Sequence, residues 1–325
     1  MKNLIAVGIL AVLGAVAFFM FREKPNPEKK QVEAAVKPVD VEKLDEIRIK
    51  RHEGLGDKKE PESYTLKKAD GTWAMAEPVK YPVVQNSVET MTRALGELRV
   101  IDVISEKASA HGKFEVDDAS GIDVTVLGGG SELLHVIVGA SSNGVTFIRY
   151  PDKNEVYRMK GSFKYNFDRS IKSLREKTII KADVENVKTA TFGSGDEALV
   201  LEKTGTGKDL SVKPLGRDIP NFDAPKATGV LRTLVNLNAV GFVDEPVTEE
   251  VSGLGPDAFT VTLEAIEEDK PYKAVLTLGN KVEDKAQTYA KTSASDQIFL
   301  ISEYTAKRLY AKLEDLTKKE EKKDK

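Results

Sequence analysis

The segments DVEKLDEIRI (residues 40–49) and DVENVKTATF (residues 183–192) decide the fold, because they open two similar halves of the chain. Each begins with Asp-Val and leads into a stretch in which apolar and polar side chains alternate, as they do in a β-strand. Two further short strands follow in each half, joined by an Asp-Gly turn at residues 70–71 and by Gly-Thr-Gly at residues 205–207. Alternating stretches joined by glycine turns predict β-hairpins.

The same order of elements continues through both halves. Each hairpin precedes a predicted helix, and the strands after the helices also correspond, with Ile101 matching Val240 and Gly139 matching Gly279. We therefore predict an α+β fold of two tandem repeated modules, residues 39–180 and residues 181–316. Each module is expected to be a mostly antiparallel sheet with packed helices. The alternative is that short alternating strands resemble one another in any β-rich chain. The helices are predicted from two apolar stripes: Val88, Met91, Leu95 and Leu98, then Val230, Leu231, Leu234 and Leu237.

An uncharged apolar stretch at the N-terminus predicts a membrane anchor. After a three-residue head (residues 1–3), residues 4–21 read LIAVGILAVLGAVAFFMF, and Arg22 follows at once. As a helix this stretch spans roughly 27 Å, close to the thickness of the hydrocarbon core of a bilayer. We therefore predict an N-terminal transmembrane signal-anchor, with the membrane bilayer as its partner. A cleaved secretory signal is the alternative, because Ala15-Val16-Ala17 has the form of a cleavage site.

The segments on either side of the modules are charged. Residues 22–38 contain several prolines and no apolar period, which predicts an extended tether. Residues 317–325 are expected to be a disordered charged tail.

Two arguments give opposite orientations for the anchor in the membrane. The basic residues after the apolar stretch would place the following chain in the cytoplasm, whereas a very short basic head is typical of an exported signal-anchor.

Composition excludes several classes of function. The chain has 325 residues, with 49 basic and 52 acidic side chains, so it lacks the basic excess of a nucleic-acid coat. It has no cysteine, which excludes disulfides, thiol nucleophiles and thiolate zinc sites. The three histidines, His52, His111 and His135, lie on different predicted elements without metal-ligand spacing. We therefore expect no metal, no cofactor and no catalytic residue.

Motifs that resemble binding loops have simpler structural explanations. Residues 205–208 (GTGK) lack the earlier glycine of a phosphate loop, and Asp209 stands where Ser or Thr should hold magnesium. We interpret them as a hairpin turn. The acidic clusters at residues 117–118 and 267–269 are interpreted as solvated turns, with calcium binding as the alternative.

Aromatic side chains supply the candidate partner surface. Trp73 follows a tight turn, and the end of the first module is the most aromatic part of the chain. Such residues often anchor protein partners, although core packing and a junction between modules are the competing interpretations. The candidates are Trp73, Tyr150, Tyr157, Phe163 and Tyr165.

The chain resembles the bacterial family called domain of unknown function 4340. The resemblance rests on the apolar N-terminus, the Asp-Val-x-x-Leu-x-x-Ile strand at residues 40–47 and the Leu-x-Lys-x-Asp-Gly-x-Trp hairpin at residues 66–73. A Gly-closed strand before Arg149-Tyr150 and the Leu-x-x-Leu at residues 95–98 also contribute. The second half fits more loosely, because Leu210 replaces the tryptophan. The resemblance implies a membrane-anchored, extracytoplasmic protein associated with ABC export systems of the gliding-motility kind, and it assigns no catalytic residue.

Together these observations predict a non-catalytic interaction protein. We expect it to be tethered to the bacterial inner membrane with its C-terminal part in the periplasm. Its expected role is that of an accessory subunit that contacts an ABC-type transporter or the cargo of the transporter, without binding nucleic acid. The alternative is an envelope hydrolase that acts through two carboxylates placed roughly 5–9.5 Å apart.

Overall fold

The computed structural model describes residues 37–53, 60–216 and 218–318. The predicted head, the anchor at residues 4–21, most of the tether and residues 319–325 of the tail lie outside these residues. Within the described residues, no helix combines the length and the apolar character needed to cross a membrane. The chain divides into two compact units between Glu176 and Lys177.

The described residues of the first unit form a nine-stranded antiparallel sheet and three α-helices. The strands are β1 (Glu46–Glu53), β2 (Glu60–Ala69), β3 (Thr72–Glu77), β4 (Tyr81–Pro82), β5 (Val100–Ser105), β6 (Ile122–Gly128), β7 (Ser131–Ser142), β8 (Val145–Arg149) and β9 (Val156–Lys160), and the helices are α1 (Gln85–Gly96), α2 (Lys164–Phe167) and α3 (Ile171–Leu174). The strand order in the sheet is β4-β3-β2-β1-β6-β7-β8-β9-β5.

The core of the first unit lies between one face of the sheet and the helices. Alternate residues of β1, Ile47 and Ile49, are almost fully buried, and Val88, Met91 and Leu95 of α1 are buried in the same core. The predicted apolar stripe therefore faces the sheet, as amphipathic helices do. Leu98 is also buried, but it follows the end of the helix at Gly96.

The described residues of the second unit form an eight-stranded antiparallel sheet and a separate two-stranded sheet. The strands are β10 (Thr178–Lys181), β11 (Val187–Phe192), β12 (Leu199–Thr204), β13 (Ser211–Pro214), β14 (Asn236–Asn238), β15 (Gly241–Val243), β16 (Phe259–Glu267), β17 (Lys270–Lys281), β18 (Gln287–Thr292) and β19 (Ser295–Ser302), and the helices are α4 (Ala224–Val235), α5 (Glu249–Ser252) and α6 (Glu303–Leu309). The large sheet has the order β13-β12-β11-β16-β17-β18-β19-β15, and β10 pairs with β14.

The two large sheets follow the same strand order. Starting at β3, the first sheet runs β3-β2-β1-β6-β7-β8-β9-β5, and each of these strands has a counterpart in the second sheet in the same place. The registers agree as well: Ile47 pairs with Val126 in the first sheet, and Ala190 pairs with Leu263 in the second. Both units are thus mixed α+β structures with mostly antiparallel strands, which confirms the α+β part of the prediction.

Three details differ from the sequence-based expectations. Leu237 was predicted on the second helix, but α4 ends at Val235 and Leu237 lies on β14, where it pairs with Ile180. Because this pairing places β10 in the second unit, the units divide slightly before the predicted boundary at Lys181. Finally, Thr317 was expected in the disordered tail, but it forms a β-bridge with Phe222.

Candidate functional site

The structure buries most of the predicted aromatic surface. Trp73, Tyr157 and Phe163 are each 5% exposed and belong to the core of the first unit, so they cannot form an exposed partner surface. Tyr165 on α2 is 68% exposed. Tyr150 is half-buried, packs edge-on against Tyr157 with ring centroids 6.0 Å apart, and lines a cavity of about 700 Å³.

Trp73 has a structural role at the β2–β3 hairpin. The turn residues Asp70 and Gly71 both have positive φ angles (50° and 80°), as a tight two-residue hairpin turn requires. The side-chain amide of Gln85 accepts a hydrogen bond from the backbone N–H of Trp73 (3.0 Å) and donates one to its carbonyl oxygen (2.8 Å). These bonds tie the hairpin to the start of α1.

A segment between β5 and β6 covers part of the outer face of the first sheet, the face that points away from the helices. This segment, residues 106–121, is called the first strap. It passes so close to β7 that a Cβ atom on Gly139 would lie 2.2 Å from the carbonyl oxygen of Phe114. The buried guanidinium of Arg149 on β8 holds it in place by donating to the carbonyl oxygen of Val116 (2.9 Å). The same guanidinium also donates to the carbonyl oxygen of Pro151 (2.8 Å), in the loop after β8.

The second unit has an equivalent strap, residues 244–258, which contains α5. A Cβ atom on Gly279 would lie 2.0 Å from the carbonyl oxygen of Ser252. Here the side-chain amide of Asn280 supplies the bonds, donating to the carbonyl oxygens of Glu250 (3.1 Å) and Val251 (3.2 Å). Both straps therefore cross their sheets at a glycine, but different side chains fix them.

The remainder of each outer face is accessible to solvent, and we call these areas the first and second open faces. The first is charged: Lys50 lies between Ser63 and Asp123 on neighbouring strands, and Arg48 pairs in register with Thr125. The carboxylate of Asp123 accepts a hydrogen bond from Nε2 of the next-strand neighbour, His135 (3.1 Å).

The second open face is mostly uncharged at the equivalent positions. Thr191 lies beside Thr262, which in turn pairs with Val275, and Thr260 pairs with Thr277. Lys291 is a charged exception, because it pairs in register with Thr277 and lies 3.9 Å from Asp296. Further charges lie towards one end of this face, where Lys273 is 3.3 Å from Glu264. Threonine and valine suit exposed strands in general. The two open faces thus occupy the same position in the fold but present different chemistry.

A polar cavity of about 520 Å³ lies where the first open face meets the first strap, and we call it the Asp117 cavity. Its carboxylates are already bonded. Glu62 is 2.6 Å from the guanidinium of Arg51, and Asp117 accepts from the backbone N–H groups of Ala119 and Ser120. The lining residues are Lys50, Arg51, His52, Pro61, Glu62, Ser63, Asp117, Asp118, Gly121, Asp123 and Ile137.

Arg51 links the strands beside this cavity to the closing helices. Its guanidinium also donates to Asp168 after α2 (2.8 Å), while the second oxygen of Glu62 accepts from the backbone N–H of Ile171 at the start of α3. Tyr64 donates to the carbonyl oxygen of Arg169 (2.9 Å), and burial raises the pKa of its hydroxyl. These bonds position backbone segments, and they leave Glu62 and Asp168 as ion-pair partners of Arg51.

The match to a known family spans both units. The family described as "Domain of unknown function (DUF4340)" matches residues 73–258, more than half of the chain. The chain belongs to this family. The matched region runs from Trp73 in the first hairpin to Ala258 at the end of the second strap, so the family is defined by parts of both units. No curated protein and no solved structure matches the chain.

Family motifs used in the sequence comparison have structural roles in this fold. Gly139 admits the first strap and Arg149 fixes it, and Asp70-Gly71 with Trp73 forms the first hairpin.

Within the described residues, no group of three acidic or histidine side chains could hold a metal ion. The open faces could not be recognised from the sequence, because the residues of each face come from three or four strands and only the pairing register brings them together. The alternating polar positions were the available signal.

Proposed function

We propose that the chain is a non-catalytic interaction protein of the bacterial envelope, anchored in the inner membrane through residues 4–21. In this proposal both units lie in the periplasm and act as an accessory subunit of an ABC-type transport system. The observation that carries the proposal is the pair of open faces: two units with one strand order present different side chains at equivalent positions. We infer that the units arose by duplication and then diverged to contact different partners.

The chemistry of the open faces supports this role. Charged and hydrogen-bonding groups such as Lys50 and Asp123 suit a partner protein whose surface carries complementary charges. Such groups determine which partner binds and in which orientation. The threonine-rich second face offers a contact with fewer charges. A partner that bridges both faces would bind more tightly than either face alone allows, provided that its geometry permits both contacts.

Charge reversal on the first open face tests this function. The full chain, solubilised in mild detergent, should co-purify with its membrane neighbours, and the double variant Arg48→Glu/Lys50→Glu should reduce the recovered partner at unchanged thermal stability. The double variant Arg93→Glu/Lys172→Glu makes the same change in charge at exposed positions of α1 and α3, away from both open faces. It is the matched control and should leave recovery unchanged. Equal recovery with wild type and the double variant would remove the first face from the interaction. Failure of the wild-type chain to retain any neighbour would refute the accessory role.

Topology is tested separately with reporters. Alkaline phosphatase fused after Pro38 should be active, because this enzyme requires export, whereas a cytoplasmic reporter at the same point should be inactive. The reverse result would overturn the periplasmic location. Loss of the first 17 residues from the mature chain would show a cleaved signal in place of an anchor.

The Asp117 cavity is the observation that favours an envelope hydrolase. It gathers four carboxylates, those of Glu62, Asp117, Asp118 and Asp123, at one end of the sheet. Their existing bonds to Arg51, to backbone N–H groups and to His135 weigh against free acid and base roles. Incubation of the full chain with cell-wall glycan decides between the two functions. Product formation that is lost in Asp117→Asn and Asp123→Asn would favour the hydrolase.

A further inference from the structure

The cavity beside Tyr150 has an opening formed by the first described residues of the chain. It measures about 700 Å³ and is lined by residues 37–40, by residues 132–135 at the start of β7 and by residues 150–152 after β8. The backbone N–H of Val39 donates to the carbonyl oxygen of Leu95 (3.0 Å). This bond fixes the point at which the preceding chain reaches the cavity.

The lining combines apolar surface with acidic side chains. Leu133 is 36% exposed, which is unusual for a leucine on a central strand, and it lies in this cavity with half-buried Tyr150. Asp40, Glu132 and Asp152 supply three carboxylates, and Lys37 is the one lysine among the lining residues. Asp40 already pairs with Lys43 (3.0 Å), and the ammonium of Lys153 lies over the Tyr150 ring, 5.1 Å from its centre. Glu132 and Asp152 are therefore the carboxylates that face a further cation. The site therefore suits a segment that carries apolar side chains and positive charge.

The chain immediately before Lys37 has this composition. Residues 29–36 read KKQVEAAV, so two lysines precede valine and alanine residues. A fully extended segment of this length reaches about 26–29 Å, enough to cross a cavity of this size. Because it is covalently joined to the cavity wall, its effective concentration there is on the order of millimolar, which a separate partner would have to exceed.

We propose that residues 29–36 dock in the Tyr150 cavity, with Val32 and Val36 towards Leu133 and Tyr150 and the two lysines towards Glu132 and Asp152. Docking would leave only residues 22–28 of the tether free to extend. The largest distance between a membrane anchor and the first unit would then fall from about 55 Å to about 25 Å. The first unit would then be held near the surface from which the tether emerges. The docking itself does not depend on the proposed role in transport.

The absence of cysteine in the chain permits a direct test. In the full chain in detergent, the pair Ala34→Cys/Leu133→Cys should form an intramolecular disulfide under mild oxidation, because docking brings the two side chains within bonding distance. The control pair Ala34→Cys/Ile104→Cys uses another exposed apolar residue of the same unit, Ile104 on β5. We expect the first pair to cross-link at least about tenfold faster than the control. Equal rates, or no disulfide in the first pair, would overturn the proposal.

Charge and exchange measurements provide a second test that does not require new cysteines. Amide hydrogen exchange of residues 32–36 should be slowed in the wild-type full chain, and Lys29→Glu/Lys30→Glu should restore fast exchange by repelling Glu132 and Asp152. Arg22→Glu/Lys24→Glu, with the same change in charge outside the docking segment, should leave the protection intact. Fast exchange in the wild type would overturn docking. Protection at Leu133 and Tyr150 without protection of residues 32–36, seen only when membrane neighbours are present, would assign the cavity to a partner and would also overturn it.

Discussion

The two units share a sheet order and a strap, yet they fix the strap with different side chains. In the first unit the buried Arg149 donates to the carbonyl oxygen of Val116 in the strap, whereas in the second an exposed asparagine, Asn280, donates to the carbonyl oxygens of Glu250 and Val251. The glycines at the crossing, Gly139 and Gly279, occupy the same position. The difference indicates that close backbone approach and the buried alternation of the strands define this fold, while polar groups on the outer face can change without altering it.

The largest expected loss of stability comes from truncating the equivalent buried leucines. Leu95→Ala and Leu234→Ala should each lower the free energy of unfolding by about 2–5 kcal/mol, the usual range for a cavity left by leucine. Trp73 is the only tryptophan and lies in the first core, so its fluorescence reports the first unit while circular dichroism reports both. Leu95→Ala should shift the fluorescence transition in denaturant, and Leu234→Ala should shift only the remaining circular dichroism signal.

Exposed arginines on the same helices are the matched controls. Arg93→Ala and Arg232→Ala should each change stability by less than about 0.5 kcal/mol. If Leu234→Ala also shifted the fluorescence transition, the two units would unfold as one, and the comparison between them would have to be abandoned.

Adding one methyl group at each strap crossing should give the next largest effect. Gly139→Ala and Gly279→Ala place a Cβ atom against backbone carbonyl oxygens, which cannot move aside as a side chain can. We expect each to cost about 1–3 kcal/mol. In Gly112→Ala the nearest atom is Asp117 Oδ2 at 3.6 Å, so this variant should be close to neutral. Denaturant melts compare all three, and a neutral Gly279→Ala would show that the second strap is not held as the first is.

The side chains that fix the straps should differ in their contribution. Arg149→Met leaves the buried carbonyl oxygen of Val116 without its donor and should cost about 1–3 kcal/mol. Asn280 is exposed, so water can replace its bonds, and Asn280→Ala should cost about 0.5–1.5 kcal/mol at most. Thermal melts with hydrogen exchange of residues 106–121 and 244–258 measure both. Equal losses of stability in the two variants would mean that the exposure of Arg149 and Asn280 does not determine how much each side chain contributes.

The smallest expected effect on stability comes from the ion pairs made by the first residues of α2 and α6. Glu303 begins α6 and is bonded to Lys307 (2.8 Å) and Lys281 (3.1 Å), which lower the pKa of its carboxyl. The stabilisation by these ion pairs is therefore fully present when the pH is above the ordinary pKa of glutamate. It is lost as the pH falls through the lowered pKa of Glu303. In α2 a lysine, Lys164, occupies the first position and pairs with Glu115 (2.7 Å). Carboxyl NMR titration of Glu303 should give a pKa below the usual glutamate range, and Lys281→Ala together with Lys307→Ala should return it.

The sequence by itself determined the α+β class, the succession of strands along the chain and the two hairpins, because alternation and glycine turns act over neighbouring residues. Val88, Met91 and Leu95 were recognised as one buried stripe for the same reason. Tertiary structure alone decided that Trp73, Tyr157 and Phe163 enter the core, since an aromatic side chain is equally compatible with core and surface. It also decided that Leu237 pairs with Ile180 and that Lys50 lies beside Asp123. These contacts join residues far apart in the chain, and no local pattern specifies which distant strand supplies the partner.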